Sequence, residues 1–185
     1  MQEKQFTVHY AWMNNGYEPE VVFTLGRNEN GFTMHIVTRE SDPRREVTEH
    51  LQPVHLDSCV EWFVNFLPEK CDRYFNFELN ANGAMNAAFR KDRHDSKPLT
   101  IEDIQLLGIQ TKIYPESWEV FYIVPFALIE KYIPGYCFQE GMGIKTNFYK
   151  CGEKTEYIHF ALWNGPFTEK PDFHRPEFFK EIVLD

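Results

Sequence analysis

The sequence predicts an all-β fold, a jelly-roll-like antiparallel β-sandwich with one or two short helices. Short segments in which apolar and polar residues alternate recur along the chain, which is the pattern of half-buried strands. Asn, Gly and Pro separate these segments at short intervals, as they do in antiparallel sheets. The 17 Phe, 9 Tyr and 4 Trp favour strands and supply side chains for a core. The length of 185 residues predicts one domain over residues 1–185.

The N-terminal third of the chain predicts three strands and a solvated loop. Gln5 to Trp12 alternates between apolar and other side chains, which is typical of a strand. The segment Asn28–Gly31 indicates a hairpin turn, because Asn and Gly tolerate positive φ. Residues 39–52 are highly charged and break the alternation, so we expect a loop there, with at most one helical turn. The predicted strands are 5–12, 20–25 and 32–38.

A central hairpin organises the rest of the chain. Its first arm lies in Pro53–Phe66 and its second arm is Tyr74–Asn80, and the short link between them favours antiparallel pairing. Alternation with period two directs the apolar side chains of both arms into one core. Glu61 and Glu78 then project from the opposite face of the same sheet.

The C-terminal half predicts further strands and two short helices. Residues 84–90 fit a strand or a helix, because alanine weakens the strand pattern, and 91–98 is expected to be an exposed loop. Thr100, followed three residues later by Asp103, predicts a helix cap, and Pro125 occupies a plausible first position of a second helix. The segment 164–176 is rich in proline and is expected to be irregular. The remaining predicted strands are 106–114, 118–124, 142–151, 157–163 and 178–184.

Composition argues against several classes of partner and predicts a compartment. A net charge of −9 opposes nucleic acids and anionic membranes, which need a basic surface, and fits a neutral ligand or a cation. No apolar run approaches about 20 residues, so no membrane span is expected. The first ten residues lack a signal-peptide pattern, and four cysteines without a CxxC pair predict free thiols. Together these features predict a cytoplasmic protein, or an extracellular one if the start of the chain was trimmed.

Glu61 and Glu78 are the first candidates for a functional site. If their strands are neighbours, the two carboxyl groups lie roughly 5 to 8 Å apart, the range for facing or diagonal cross-strand positions. Spacing alone leaves three interpretations, which are two solvated surface residues, a pair that binds sugar hydroxyls, or a catalytic acid and nucleophile. Among these, the spacing favours surface first, binding second and catalysis third.

Other polar and aromatic residues could line the same face. Asn76, Asn147 and Tyr149 lie on the non-core side of their predicted strands, and amides and phenols hydrogen-bond hydroxyls well, although each residue alone is more often plain surface. Trp163 ends a strand before a proline-rich loop, where it could stack on a sugar ring or cap the end of the core. The histidines show no zinc-ligand spacing, so no metal site is predicted and no cofactor is required.

Several segments together resemble a known family. The set is similar to the carbohydrate-binding family 9-like proteins, which are related to family 9 carbohydrate-binding modules and to the wider DOMON-like sandwiches. The resemblance runs from about Pro53 to the C-terminus. The segments are PVHLDSCVEWFV, YFNFELNANG, KDRHD, WEVFYIVPFALI, TNFYKCG and HFALWNGPFTEKPDFHRPEFFKEIVL.

The resemblance implies a jelly-roll β-sandwich that binds glycans without catalysis. In the family's modules a sugar lies between two tryptophans, and bound calcium is structural, so structural calcium is possible here. Glu61 matches the position of a binding glutamate, whereas Glu78 falls close to where some modules have an arginine. His55 stands where the family often has one of the tryptophans.

The resulting hypothesis is non-catalytic binding of a mono- or oligosaccharide on the polar sheet face and its loop rim. No catalytic residue is assigned under this hypothesis. One alternative is a glycoside-hydrolase-type enzyme that uses Glu61 and Glu78, and another is an interaction or structural domain without a sugar ligand. The predicted ligand-binding residues are His55, Glu61, Asn76, Glu78, Asn147, Tyr149 and Trp163.

Overall fold

Two antiparallel sheets face each other in the computed structural model, which describes residues 3–10, 12 and 14–184. The first sheet has five strands, which are in spatial order β1 (Lys4–Thr7), β3 (Glu20–Arg27), β4 (Gly31–Arg39), β10 (Ser117–Pro125) and β9 (Gln110–Tyr114). The second sheet has eight strands, which begin in spatial order with β2 (His9–Tyr10), β12 (His159–Leu162), β11 (Gly143–Gly152), β5 (Cys59–Asn65), β6 (Tyr74–Asn80), β7 (Met85–Arg90) and β8 (Ser96–Pro98). Its eighth strand, β13 (Lys180–Val183), pairs with the first half of β11. The predicted β-sandwich is therefore confirmed, while the finer jelly-roll description stays a prediction.

The core lies between the two sheets and follows the alternation of each strand. In β10, Trp118, Val120, Tyr122 and Val124 are buried, and the residues between them are partly exposed. Across the interior, Trp62 from β5 is fully buried. Fully burying a large apolar side chain contributes about 1.5 to 3 kcal/mol, so these strands are held mainly by this layer.

Both helices form where the sequence predicts them. Helix α1 (Ile101–Gln105) begins after Thr100, whose hydroxyl accepts from the Asp103 backbone N–H while the Asp103 carboxylate accepts from Thr100 N–H. Helix α2 (Phe126–Tyr132) begins one residue later than predicted, because Pro125 is its N-cap rather than its first helical residue. In the part of the chain that the structure describes, no helix has the length and apolarity needed to cross a membrane.

Several predicted elements have other bounds in the structure, and the predicted strand 106–114, for example, begins only at Gln110. The first alternating stretch, 5–12, divides at Val8 into β1 and β2, because the chain passes there from one sheet to the other, and Ala11 lies outside the described residues. Residues 84–90 form a strand and not a helix, since β7 pairs along β6. The predicted loop 91–98 ends in the short strand β8, which pairs with β7.

A cluster of buried ionisable groups, here called the interior cluster, lies on the core side of the eight-stranded sheet. The ammonium group of Lys150 is fully buried and donates to Ser58 Oγ at 2.9 Å and to His159 Nε2 at 2.6 Å. Its counter-ion is Glu40, at 3.8 Å. The Glu40 carboxylate also accepts hydrogen bonds from Tyr17, Ser58 and Trp118. This charge pair is therefore enclosed by donors and acceptors within the fold.

Candidate functional site

The outer face of the eight-stranded sheet carries the two predicted glutamates. Antiparallel pairing sets Glu61 of β5 directly opposite Glu78 of β6, and the same cross-strand row continues to Asn86 on β7 and to Tyr149 on β11. Directly opposite residues of antiparallel strands point to the same face. The prediction that both glutamates share the non-core face is confirmed.

The C-terminal segment, residues 164–179, lies across part of this face. Phe173 stacks on Tyr149 with 4.3 Å between ring centroids, and His174 lies 5.0 Å from the ring of Phe63. His174 is further held by a 2.9 Å hydrogen bond between its Nδ1 and the hydroxyl of Tyr74. This segment therefore covers one part of the face and leaves the rest open.

The open part is a cleft of about 290 Å³, at the small end of the range for small-molecule sites. Its floor and walls come from the strands, the 3-10 turn before β5 and the C-terminal segment. The residues that line it are His55, Glu61, Glu78, Asn86, Arg90, Arg93, Cys151, Glu153, Phe160, Pro171, Phe173 and His174.

Both glutamates are buried at the bottom of the cleft. Glu61 is 3% exposed and Glu78 is 5% exposed, so the interpretation of the pair as solvated surface residues is wrong. That interpretation failed because the loops and the C-terminal segment build walls that alternation within single strands cannot reveal. Glu78 accepts from Asn76 Nδ2 at 2.7 Å and from Asn86 Nδ2 at 3.0 Å. Glu61 Oε1 accepts from the thiol of Cys151 at 3.2 Å.

The two carboxyl groups resist ionisation. Burial raises the pKa of Glu61 well above its ordinary value, and Cys151 and Glu78 raise it further. Burial also raises the pKa of Glu78, although Asn86, Arg90 and His55 oppose that rise. Glu78 is therefore the member of the pair that more readily carries charge, and Glu61 keeps its proton to higher pH. Together they offer both a donor and acceptors to a ligand.

A network of arginines forms a second wall of the cleft. Arg90 Nε donates to Asn76 Oδ1 at 2.6 Å, and Arg90 Nη1 donates to the backbone carbonyl of Arg93 at 3.2 Å. Arg93 in turn pairs with Asp172 at 2.6 Å, which ties the loop after β7 to the C-terminal segment. Burial, followed by Arg90 and Arg93, lowers the pKa of His174 to about 3. His174 is therefore neutral at pH 7, with one ring nitrogen able to accept a hydrogen bond.

The structure brings some of the predicted residues together and separates others. His55, Glu61 and Glu78 line the cleft, and Asn76 lies directly beneath Glu78 as its hydrogen-bond donor. The side chains of Asn147, Tyr149 and Trp163 lie outside the cleft.

Asn147 and Tyr149 lie on the predicted face but outside the cleft. Asn147 Nδ2 donates to the carbonyl of Asn164 at 2.7 Å, and its Oδ1 accepts from Asn164 N–H at 3.1 Å, so it anchors the start of the C-terminal segment. Tyr149 is 2% exposed and lies beneath Phe173.

Trp163 packs against the core and not against the cleft. Its ring lies 4.9 Å from Phe6 and 5.5 Å from Phe148, and Phe148 is a fully buried core residue. Of the two roles that the sequence allows for Trp163, the structure places it in the one that caps the end of the core.

Several cleft residues were not among the candidates predicted from the sequence. Asn86 was missed because residues 84–90 fitted a helix as well as a strand, so its face could not be assigned. Arg93, in the charged loop after β7, and Phe173 and His174, in the irregular C-terminal segment, have no periodicity that would orient them. Their sequence signal is limited to the segments KDRHD and DFHRPEFF, which carry the family resemblance.

The donor set of the cleft does not fit the calcium that the resemblance implies. Within residues 3–10, 12 and 14–184, three side chains of metal-binding type gather at Cys59, Glu61 and Cys151, with their ligand atoms within 4.8 Å of one another. Calcium takes six to eight oxygen ligands, and this group offers two sulfurs and one carboxylate. The cluster is therefore not a calcium site.

A larger depression of about 900 Å³ lies beside the interior cluster, between residues 39–46, 16–19 and 154–157. Seven of its sixteen lining residues are exposed and charged. Its one buried carboxylate, Glu40, already has partners inside the protein. The smaller cleft, with buried and under-compensated carboxyl groups, is the stronger candidate for ligand binding.

Comparison with known structures shows the same fold along the whole chain. A crystal structure of a protein from Bacteroides uniformis, provisionally described as carbohydrate-binding, is 26% identical, with a TM-score of 0.86 over 100% of this chain and 86% of that one. A family 9 carbohydrate-binding module from Caldicellulosiruptor kristjanssonii in complex with cellotriose is 12% identical, with a TM-score of 0.65 over 98% of this chain and 82% of that one. The same kind of module in complex with glucose is 11% identical, with a TM-score of 0.63 over 97% and 84%. At such identities the last two show the fold alone.

No curated protein sequence matches the chain. The family model for carbohydrate-binding family 9 matches residues 2–184, which is nearly the entire sequence. The fold, the order of its segments and this match agree, and the chain belongs to carbohydrate-binding family 9.

Proposed function

We propose that this protein binds a mono- or oligosaccharide without catalysis, in the cleft over Glu61 and Glu78. The observation that carries the proposal is a pair of facing glutamates held inside an open cleft. Burying a carboxyl group without a full set of partners costs free energy, and a ligand rich in hydroxyl groups would supply those partners.

The chemistry of the cleft suits a sugar. A protonated Glu61 can donate a hydrogen bond, while Glu78, Asn86 and the neutral His174 can accept or donate others. Phe160 and Phe173 add aromatic surface to the wall, and an aromatic face suits the C–H face of a pyranose. His55 lies on the rim, so the position that the family often fills with tryptophan borders this cleft.

The family supports this proposal and suggests the first ligands to test. Solved family 9 modules with this fold were obtained in complex with cellotriose and with glucose. The small volume of the cleft suits one end of a chain or a single sugar better than a long segment of polysaccharide. Glucose and short glucose oligomers are therefore the natural starting panel.

Calorimetric titration of the folded protein with that panel tests the proposal. We expect dissociation constants between millimolar and micromolar, or about −4 to −8 kcal/mol. Glu78→Gln should weaken binding about tenfold or more, because the amide replaces a charged acceptor. Glu119→Gln, on the outer face of the five-stranded sheet, is the matched control and should bind like the wild type. Absence of binding by the folded wild type to every sugar in a broad glycan panel would refute the proposal.

A second candidate function is glycoside hydrolysis, and one observation favours it. Glu61 and Glu78 face each other across adjacent strands and both have raised pKa values, as a catalytic acid requires. An aryl-glycoside assay distinguishes the two functions. Turnover by the wild type that disappears in Glu61→Gln would favour hydrolysis, and turnover that survives in that variant would remove this assignment.

The remaining alternative, an interaction domain whose groove is filled by its own side chains, is not favoured, because the cleft beside Glu61 is open. We also propose a cytoplasmic location, which the four free thiols support. Cell fractionation followed by immunodetection would test that location.

A further inference from the structure

Two buried cysteines face each other beside Glu61, and one of them, Cys151, lines the cleft. Cys59 of β5 and Cys151 of β11 are directly opposed across the two strands, and both are buried. Glu61 lies two residues after Cys59, so its side chain points to the same face. One ligand atom from each of these three residues lies within 4.8 Å of the other two, and the distance from Glu61 Oε1 to Cys151 Sγ is 3.2 Å.

We propose that Cys59, Glu61 and Cys151 form a binding site for a thiophilic divalent cation of the zinc class. Three protein ligands with one open position are typical of a tetrahedral zinc site that is accessible to a small molecule. Here Glu61 and Cys151 border the cleft, so the fourth position faces the space in which a ligand or water would lie.

The donor atoms select the type of metal. Thiolate sulfur favours zinc, cadmium and other soft or borderline cations over calcium and magnesium, which require oxygen. The two sulfurs come from adjacent strands of a rigid sheet, and all three groups are buried, so little ordering is needed when a metal binds.

Lys150, on the core side of the sheet, contacts one of the three ligand residues. The Lys150 ammonium donates to the backbone carbonyl of Cys151 at 3.1 Å from the core side of the sheet. A divalent cation with two thiolates and one carboxylate carries one net negative charge, and the nearby Lys150 ammonium, which Glu40 already balances, would offset that charge in part. Through its hydrogen bond to the Cys151 carbonyl, Lys150 would hold this ligand residue in position.

Metal binding would release protons to solvent. Burial raises the pKa of Cys59 to about 11, the Cys59 thiol and burial raise that of Cys151, and burial raises that of Glu61. The charged and titratable groups on the cleft side of the site are Glu78 and Glu153, which add negative charge, and His55, while Lys150 lies behind the site on the core side of the sheet. Because the ligands must lose their protons, affinity should increase with pH.

Titration of the full, reduced protein with Co²⁺ tests the inference, since a cobalt–thiolate bond has a charge-transfer absorption that oxygen ligands do not produce. We expect that absorption to saturate at one Co²⁺ per chain and to disappear when Zn²⁺ displaces the cobalt. A reduced, folded wild type that shows no such absorption would overturn the proposal.

Substitution of each proposed ligand shows whether that residue contributes to cobalt binding. Cys59→Ala and Cys151→Ser should each weaken binding at least about tenfold, and the nearly isosteric Glu61→Gln should also weaken it while leaving the fold intact. Cys137→Ser, which changes an exposed cysteine outside the cleft, is the matched control and should bind like the wild type. Cobalt binding that is unchanged in folded Glu61→Gln and in either folded cysteine variant would overturn the assignment.

Metal binding needs the Glu61 carboxylate, whereas the proposed sugar contact uses its protonated form, so the two sites share this residue. Sugar titrations with a chelator report sugar binding by the metal-free protein, and the cobalt absorption reports the metal alone, so failure of one proposal is distinguishable from failure of the other. With one equivalent of zinc, sugar binding should weaken.

Discussion

The eight-stranded sheet carries a buried ionisable cluster on each of its faces, and the two clusters differ in how completely their charges are matched. In the interior cluster, Glu40 and Lys150 are opposite charges surrounded by hydrogen-bond partners from the protein. In the cleft, Glu61 and Glu78 are two carboxyl groups that face each other, and the cleft above them is open to solvent. A matched and closed cluster stabilises a fold, whereas an unmatched and open cluster leaves polar groups for a ligand.

The pKa shifts express the same contrast. Burial alone would raise the pKa of Glu40, but Lys150 and the hydrogen bonds from Ser58, Trp118 and Tyr17 hold it below its ordinary value. Burial raises the pKa of Glu61, and its neighbours Cys151 and Glu78 raise it further. Adjacent residues of β11 separate these environments, because Lys150 points to the core and Cys151 to the cleft.

The largest expected effect comes from removing the cation of the interior cluster. Lys150→Met keeps a similar shape but leaves Glu40 buried without its counter-ion, which should cost about 3 to 5 kcal/mol of unfolding free energy. Urea denaturation at pH 7 measures this loss. Lys145→Met, on the same strand but exposed, is the control and should change stability by no more than about 0.5 kcal/mol. Equal stability of the two variants would show that the interior pair is not structural.

Acid should destabilise both clusters through one histidine in each. Burial and Lys150 lower the pKa of His159 to about 4, and burial with Arg90 and Arg93 lowers that of His174 to about 3. Because the folded-state pKa of each histidine lies below the ordinary 6.5, the stability that each contributes is fully present above about pH 6.5. It is lost as pH falls through the folded-state pKa, about 4 for His159 and about 3 for His174. Each histidine can contribute up to about 3 kcal/mol to that loss.

Unfolding free energies measured between pH 7 and pH 4 check this pair of histidines. His159→Gln and His174→Gln should each flatten the acid side of the profile, since glutamine does not titrate there. His159→Gln keeps an acceptor for Lys150, so at pH 7 it should remain folded. A profile that stays as steep as that of the wild type in both variants would contradict the assignment.

The cleft pair should have the opposite pH dependence. The folded-state pKa of Glu61 is raised, so its stabilisation is complete below the unfolded value and is lost as pH rises through the folded value. Glu61→Gln cannot ionise, and its unfolding free energy relative to the wild type should therefore increase from pH 5 to pH 8. At pH 5 we expect a change within about 1 kcal/mol, because a neutral amide replaces a neutral acid of similar shape. Paired denaturation curves of variant and wild type at the two pH values measure the difference, and a variant whose stability relative to the wild type falls from pH 5 to pH 8 would refute it.

The sequence predicted the sandwich because alternation reports the burial of each strand directly. It assigned Glu61 and Glu78 to one face because both arms of the hairpin have unambiguous period two, and the pairing of β5 with β6 confirms this. It could not predict how deeply the two glutamates are buried, since burial depends on walls contributed by distant segments. Phe173 and His174, for example, lie in a proline-rich stretch whose course follows from tertiary contacts with Tyr149 and Tyr74.

The ion pair of the interior cluster could not be predicted from the sequence either. Lys150 lies at a core position of a strand by alternation, where a lysine is unexpected. Its partners Glu40 and Ser58 come from segments far apart in the chain, so no local pattern indicates that its charge is matched. Pairing across strands, and not residue type alone, decides whether a polar residue on an apolar face is structural.

The smallest expected effect concerns Trp163, which sequence reasoning offered as a sugar platform. Its contacts with Phe6 and Phe148 place it on the core side of the sheet, beside Lys180 and away from the cleft. Trp163→Phe should therefore change the sugar dissociation constant by less than about twofold, while losing about 1 kcal/mol of stability through poorer packing. Phe173→Ala, which removes an aromatic wall of the cleft, is the comparison and should weaken sugar binding about tenfold. Calorimetric titration of both variants with the sugar measures the two dissociation constants. A loss of affinity in Trp163→Phe as large as that in Phe173→Ala would mean that the sugar lies on the opposite side of the sheet from the two glutamates.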